Sequence, residues 1–269
     1  MRRALPYLPL ALGALVMVWP FLWMISTSLK DLNAATTPGL SLWPGRPHFE
    51  NVADTFRAAP FGRYFLNSFL VAGGVCLSVL LTSLMAGYAF ARLRFRGGGL
   101  LFAVVLGSMM VPFEAVFIPN FVTVCRLNWY NTYAALIVPW GANAFSIFLM
   151  RQAFLGLPQD FFDAARVDGC GHLRFLFRVG APLVRPAVVT VALFAFLGSY
   201  NALLWPLVVT ADRSMRVVQV GLTVFNGDAG TKLNLLMCAS TIVILPSVAV
   251  YFAAQRFFVE SALGAGIKA

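Results

Sequence analysis

Asp163-Ala-Ala-Arg-Val-Asp-Gly-Cys-Gly-His-Leu-Arg-Phe-Leu-Phe-Arg-Val-Gly-Ala-Pro182 carries five charged side chains and a histidine, between two apolar segments each long enough to cross a bilayer. A mere connector between spans needs only a few polar residues, so this run reads as an element made to be held in water. Pro158 suits the first turn of a helix, where its missing N–H costs nothing. From there Leu157, Phe161 and Ala164 fall on one face with Ala165 beside them, and Gln159, Asp163 and Arg166 on the other. Gly169 sits where a helix commonly ends in a left-handed residue. A second short helix starts near Gly171, grouping Leu173, Leu176 and Phe177 and pairing Arg174 with Arg178, and Gly180 and Pro182 stop it. The expected product is a surface helix-turn-helix.

Working outward, the chain has 269 residues, 60% hydrophobic and 11% charged. Soluble domains are about 25% charged, so this composition excludes a soluble core. Apolar runs of about 20 residues recur, the length that crosses about 30 Å of hydrocarbon as a helix. Backbone polar groups in lipid must be satisfied within the segment, and the alternation of a membrane barrel is absent. The expectation is an all-α integral membrane protein with six transmembrane helices, at residues 5–29, 64–90, 100–124, 132–154, 186–209 and 235–254. The first run is too long for the apolar part of a cleaved signal peptide.

Six spans put both termini on one side. Twelve of the 20 basic residues fall on that side, among them Arg92, Arg94, Arg96, Arg151 and the arginines of the opening run. The other eight, from Lys30 to Lys232, sit mostly in the two longer loops, where they weigh less. This bias places both termini and the 158–182 loop in the cytoplasm. The net charge of +10 is thereby a topology signal and not a nucleic-acid footprint. Cys76, Cys125, Cys170 and Cys238 lack metal-ligand spacing and read as small buried residues. His48 and His172 lie in loops on opposite sides, so no metal site or His-based acid–base pair is expected. No Gly-x-x-x-x-Gly-Lys-[Ser/Thr] loop occurs, so the chain does not cradle ATP phosphates in that way. No catalytic residue and no cofactor is assigned.

The opening run resembles the EAA loop of ABC importer permeases: Glu-Ala-Ala, three residues, Gly, nine residues, Ile-x-Leu-Pro. Here Asp163-Ala164-Ala165, Gly169 and Val179-Gly-Ala181-Pro182 keep the spacing, with Asp for Glu, Val for Ile and Ala for Leu. Further stretches resemble the second, maltose-type permease subunit of the carbohydrate-uptake branch. They are Ser28-Leu-Lys30, Leu42-Trp-Pro44, Phe49-Glu-Asn51, Asn67-Ser68, Ala86-Gly-Tyr-Ala-Phe-Ala-Arg-Leu-Arg-Phe-Arg-Gly97, Tyr200-Asn-Ala-Leu-Leu-Trp-Pro206 and Leu263-Gly-Ala-Gly-Ile-Lys268.

The resemblance implies a type I ABC importer permease fold in the cytoplasmic (inner) membrane of a bacterium or archaeon. Residues 1–62 form the first helix and an extracytoplasmic loop, 63–256 the permease core with its EAA loop at 158–182, and 257–269 a cytoplasmic tail. Implied partners are a second permease subunit in a heterodimer, two copies of an ATPase subunit, an extracytoplasmic solute-binding protein and membrane lipid. Asp163, Ala164, Ala165, Arg166, Asp168, Gly169, Arg174 and Pro182 are the implied ATPase-coupling residues. In the tail, Ile267 and Lys268 reach toward the ATPase by the same resemblance, whereas its glycines alone suggest a frayed terminus.

For the pathway the candidates are Glu114, Asn120, Asn143, Tyr200, Asn201 and Trp205. Glu114 is the only carboxylate within a span, and it lines the pathway or sits near the outer interface, hydrogen-bonded to groups freed by helix breaks at Pro112 and Pro119. The asparagines and Tyr200 suit sugar hydroxyls and Trp205 a sugar face, although polar groups also hold membrane helices together. A sugar is the expected solute, with glycerol-3-phosphate or another polyol derivative as the alternative. Readings of other classes are an integral membrane enzyme acting on lipid carriers and an assembly factor; the former calls for clustered acids or histidines, and only scattered single acids occur.

Overall fold

The computed structural model describes residues 7–37, 41–227 and 230–266, with side chains through Gln255 apart from that of Leu8. Arg2, Arg3, Ile267 and Lys268 lie outside the described residues. The protein is helical almost throughout, with one short antiparallel pairing of Asn226–Gly227 with Gly230–Thr231.

Among the described residues three helices are long and apolar enough to cross a membrane unbroken: Pro9–Ser28, Phe61–Arg92 and Leu233–Gln255. They coincide with the expected first, second and sixth spans. The last helix continues to Gly266, past the expected end of the span near 254. The stretch from Gln255 to Leu263 contains neither Gly nor Pro, so nothing local ends it.

The fourth and fifth spans correct the expectation of continuous helices, and the third breaks at Pro112 as expected but not at Pro119. Gly98–Ser108 and Phe113–Arg126 meet at 99°. Pro112 is extended and steers the residue before it away from helical geometry. The N–H groups of Met109, Met110 and Val111 close back onto Leu106, Gly107 and Ser108 in tight turns, so those carbonyls are satisfied. Pro119 lies inside the second limb without ending it. The fourth span bends by 45° between Tyr133–Trp140 and Ala144–Leu155. Asn143 caps the second part, its side-chain oxygen accepting from Ser146 N at 2.9 Å. In the fifth, Arg185–Tyr200 stops before a separate short helix, Leu204–Val209. By length and composition there are up to six crossings if each bent pair is one span.

The chain divides into two compact units. The first takes in residues up to Phe65 together with Val217–Val248. Its core stacks Phe61 on Phe225, with Tyr64 edge-on to Phe61. Buried Asn51 donates to Ser28 O at 2.8 Å and Lys30 O at 2.9 Å, and accepts from Asn234 at 3.2 Å. One amide thus joins the ends of three helices. Lys30 is itself buried, its ammonium donating to Ser41 O and lying over the Trp23 ring.

The second unit takes in Leu66–Arg216 together with residues from Ala249 on. Near its start, fully buried Asn67 donates to Ser214 O and Arg216 O, both at 2.8 Å, and accepts from the Tyr133 hydroxyl at 2.7 Å. Asn131 does similar work in the link before the fourth span. It holds a left-handed φ of 61°, accepts from Ala211 N and Asp212 N, and donates to the Asp212 carboxylate. Asn tolerates that backbone because its short side chain bonds locally. The Phe61–Arg92 and Ala144–Leu155 helices touch at Gly87, where a Cβ would lie 2.6 Å from Met150 Cβ and 2.9 Å from Arg151 N. Of the cysteines, Cys238 is buried, Cys76 and Cys170 are half-buried and Cys125 is exposed, so the expectation of four buried thiols fails at Cys125.

Asn67→Ala would leave two part-buried carbonyls and a tyrosine hydroxyl without that partner, at about 1–3 kcal/mol for each group that neither water nor protein then satisfies. A clear fall in the thermal unfolding midpoint of the purified protein is expected. An unchanged midpoint would show those groups satisfied elsewhere.

Candidate functional site

Two features of the second unit concentrate the sequence candidates: a surface helix-turn-helix and a cavity. The first helix of the former is Asp160–Val167, beginning two residues after Pro158. Gly169 has φ +70°, and the turn closes through Gly169 N to Arg166 O at 3.0 Å and Cys170 N to Ala165 O at 2.8 Å. The second helix starts after Gly171 with His172–Phe175. The expected stop at Gly180 and Pro182 is corrected. The chain widens into a π-helical turn, Leu176–Gly180, and stays helical through Ala181–Leu183. Pro182 falls in the first turn of that last piece, where its lack of an N–H is harmless.

The expected faces are also corrected. Phe162, Phe175 and Leu176 are buried, whereas Phe161, Leu173 and Phe177 are exposed, as is Val167 at 88%. Two adjacent phenylalanines satisfy a helical period equally well, and the partner beneath decides between them. That partner is the last turn of the Phe61–Arg92 helix. The Tyr88 ring packs against Phe154, Phe162 and Phe175 at 5.6–6.4 Å, and its hydroxyl is hydrogen-bonded to His172 Nδ1 at 2.8 Å. One turn on, Arg92 lies 3.9 Å over the Phe162 ring. Its guanidinium also donates to Phe154 O, Leu157 O and Gln159 Oε1 at 2.5–3.0 Å.

Sequence reasoning gave Tyr88 no role and read Arg92 only as a topology signal. The available signal was an aromatic and an arginine at i, i+4 closing an apolar span, inside a stretch already quoted. On the outer surface Asp163, Ala164, Arg166, Asp168, Gly169, Arg174 and Pro182 are exposed and Ala165 is half-buried. Asp163 accepts from Gln159 Nε2 at 3.2 Å. The structure therefore brings these residues together on one loop.

The cavity, of about 570 Å³, lies where helices break. Its wall includes Asn143 and Ser146 at the start of Ala144–Leu155, Ser199 near the end of Arg185–Tyr200, and Trp140 and Trp205. Among the described residues no charged side chain lines it. Trp205 is almost fully buried; its indole N–H donates to Ala135 O at 2.9 Å and its ring meets Phe117 and Trp140 edge to face. Half-exposed Trp140 is the freer aromatic surface.

The other pathway candidates are not gathered there. Tyr200 is buried between Phe69 and Phe196, Asn201 is exposed at the helix end and Asn120 is half-buried. Glu114 is exposed in the first turn after the Pro112 break, so it sits at a helix N-terminus, where the helix dipole favours negative charge. Among the described residues no three His, Cys, Asp or Glu side chains converge as a metal site.

With this geometry established, comparison with known proteins identifies the relationship. The family described as "Binding-protein-dependent transport system inner membrane component" matches residues 78–262. The arabinooligosaccharides transport system permease protein AraQ of Halalkalibacterium halodurans is 32% identical, over 95% of this chain and 92% of its own length. The sn-glycerol-3-phosphate transport system permease protein UgpE of Yersinia enterocolitica is 30% identical, over 93% and 92%. The lactose transport system permease protein LacG of Rhizobium radiobacter is 31% identical, over 98% and 97%. A solved bacterial ABC transporter involved in the import of the acidic polysaccharide alginate has a chain that superposes with a TM-score of 0.84 at 23% identity, covering 94% of this chain and 95% of that one. That likeness concerns the fold. By family match and by near full-length relatives, the chain belongs to the inner membrane components of binding-protein-dependent transport systems, with the fold of an ABC importer permease.

Proposed function

We propose that this chain forms half of the translocation pathway for a sugar or oligosaccharide, in a heterodimer with a second permease subunit. Two copies of a partner ATPase hydrolyse the ATP, and an extracytoplasmic binding protein delivers the solute. The observation that carries the solute class is the cavity wall, which joins indole, amide and hydroxyl groups without a charged side chain. A neutral sugar offers hydroxyls to such groups and an apolar ring face to Trp140. A phosphate ester would bring charge into a wall that has, among the described residues, no cation to pair with it. The relatives named for arabinooligosaccharides and lactose agree with this reading.

In the same reading residues 63–256 are the permease core, 1–62 a first helix and loop, and both termini face the cytoplasm. The 158–182 loop is the seat of the ATPase. Its outer surface supports this: Phe161, Val167, Leu173 and Phe177 are exposed apolar groups set among Asp163, Arg166, Asp168 and Arg174. Ile267 and Lys268 supply a second, smaller contact.

The relative named for sn-glycerol-3-phosphate supports a second reading, a permease for that ester or another polyol derivative. Proteoliposomes holding the full complex, with ATP on the ATPase side and the binding protein outside, separate the two. Offered lactose, an arabino-oligosaccharide and glycerol-3-phosphate in turn, they should accumulate a sugar at least tenfold faster than the ester. Preferential uptake of glycerol-3-phosphate would replace the first reading with the second.

A further inference from the structure

We infer that Tyr88 and Arg92 are positioning residues that clamp the ATPase-facing loop to the Phe61–Arg92 helix, so that loop and span move as one body. The inference rests on the reading of the 158–182 loop as the ATPase's seat, and adds how motion of that seat reaches the membrane. The loop joins its neighbours in sequence at only two points, near residues 156–159 and 183–185. Both are weak places for transmitting force: the first lacks regular helix and the second is part of an 88° bend. Rigid connection has to come from side chains.

The last turn of the Phe61–Arg92 helix supplies it. Tyr88 touches both halves of the helix-turn-helix, through Phe162 on the first and through Phe175 and His172 on the second. Phe162 and Phe175 pack on each other at 4.5 Å, so the two halves share one aromatic core with Tyr88. Arg92 adds direction to this packing. It donates to Phe154 O in the last turn of Ala144–Leu155, to Leu157 O in the link that follows, and to Gln159 at the start of the loop. Its planar fork reaches these acceptors while its face rests on Phe162, a combination that an ammonium does not reproduce.

A second tie runs alongside: Arg151 Nε donates to Phe90 O at 3.3 Å, and its guanidinium lies over Phe102. With the close approach at Gly87, the ends of two spans and the loop form a single packed block. A push on the loop therefore displaces the Phe61–Arg92 helix, and residues Val71, Val75 and Val79 of that helix line the cavity.

The test measures separation between spin labels on Cys introduced at Met85, exposed on the helix, and at Asp160, exposed at the start of the loop. The four native cysteines are replaced by serine, and the full complex is compared nucleotide-free and trapped with ATP and vanadate. Without further change the separation should be narrow and equal in both states. Tyr88→Phe keeps the ring and removes the hydroxyl bond; Arg92→Lys keeps the charge and removes the fork. In each, with normal copurification of the ATPase, the distribution should widen at least twofold and its mean should differ between the two states. The inference is overturned if the unclamped variants match the parent, or if the parent separation already shifts between states as far as theirs. Should Arg92→Lys fail to assemble, Tyr88→Phe decides alone. Failure of the underlying reading is separate: Gly169→Val would then retain full ATPase association.

Discussion

Gly87→Ala is expected to lower the unfolding midpoint of the purified complex by several degrees and to reduce the amount of protein in the membrane. The added Cβ would stand 2.6 Å from Met150 Cβ, 2.9 Å from Arg151 N and 3.1 Å from Met150 C. Two of those three atoms are backbone, so no side-chain rotation relieves the contact and the helices must part. Overpacking of this kind costs about 1–3 kcal/mol, and separating the helices also strains the Arg151 bond to Phe90 O. Gly73, fourteen residues earlier on the same helix, has nothing within 4 Å of a built Cβ. Gly73→Ala is therefore expected to be neutral or slightly stabilising, since alanine favours helix over glycine. Equal midpoints for the two variants would refute the close approach.

Gly169→Val should have the largest effect on transport. Here space is not the obstacle, because nothing lies within 4 Å of a built Cβ. The obstacle is the backbone: φ is +70°, where a residue with a Cβ is strained by about 1–2 kcal/mol and a β-branched one by more. Relief would reopen the turn and separate Phe162 from Phe175. ATPase copurification and uptake should fall together, uptake by tenfold or more, while membrane insertion persists because the site lies outside the spans. Asparagine tolerates the left-handed region, so Gly169→Asn should retain most of both. Wild-type uptake by Gly169→Val would remove this turn from the coupling path.

The left-handed turn at Gly169 was legible because glycine between two amphipathic runs has one dominant structural use. Long apolar runs were equally legible as membrane helices. Breaks were expected at both Pro112 and Pro119, and only the first occurs; the bends of the fourth and fifth spans were not expected. Pro112 and Pro119 lie in one apolar run, yet one begins a new limb and the other continues a helix. The difference depends on whether neighbouring carbonyls find other donors, as Leu106, Gly107 and Ser108 do. For the same reason the faces of the surface loop were misassigned: burial of Phe162 over Phe161 is set by Tyr88 and Arg92, more than sixty residues away in sequence. Trp205 lines the cavity, but its N–H serves Ala135 and its ring is nearly all buried. Long-range partners of this kind leave no periodic trace.

The 99° bend at Pro112 has a consequence for the lipid. The limb of 11 residues before it rises only about 16 Å and the limb of 14 residues after it about 21 Å. Two limbs nearly at right angles cannot both follow the bilayer normal, and neither alone matches about 30 Å of hydrocarbon. With the longer limb along the normal, this segment falls about 10 Å short of that thickness. Adjoining protein must fill that deficit, or the bilayer must thin at a cost of fractions of a kcal/mol for each ångström. Met110, 86% exposed at the apex of the bend, stands at the point where the acyl chains would have to make that adjustment.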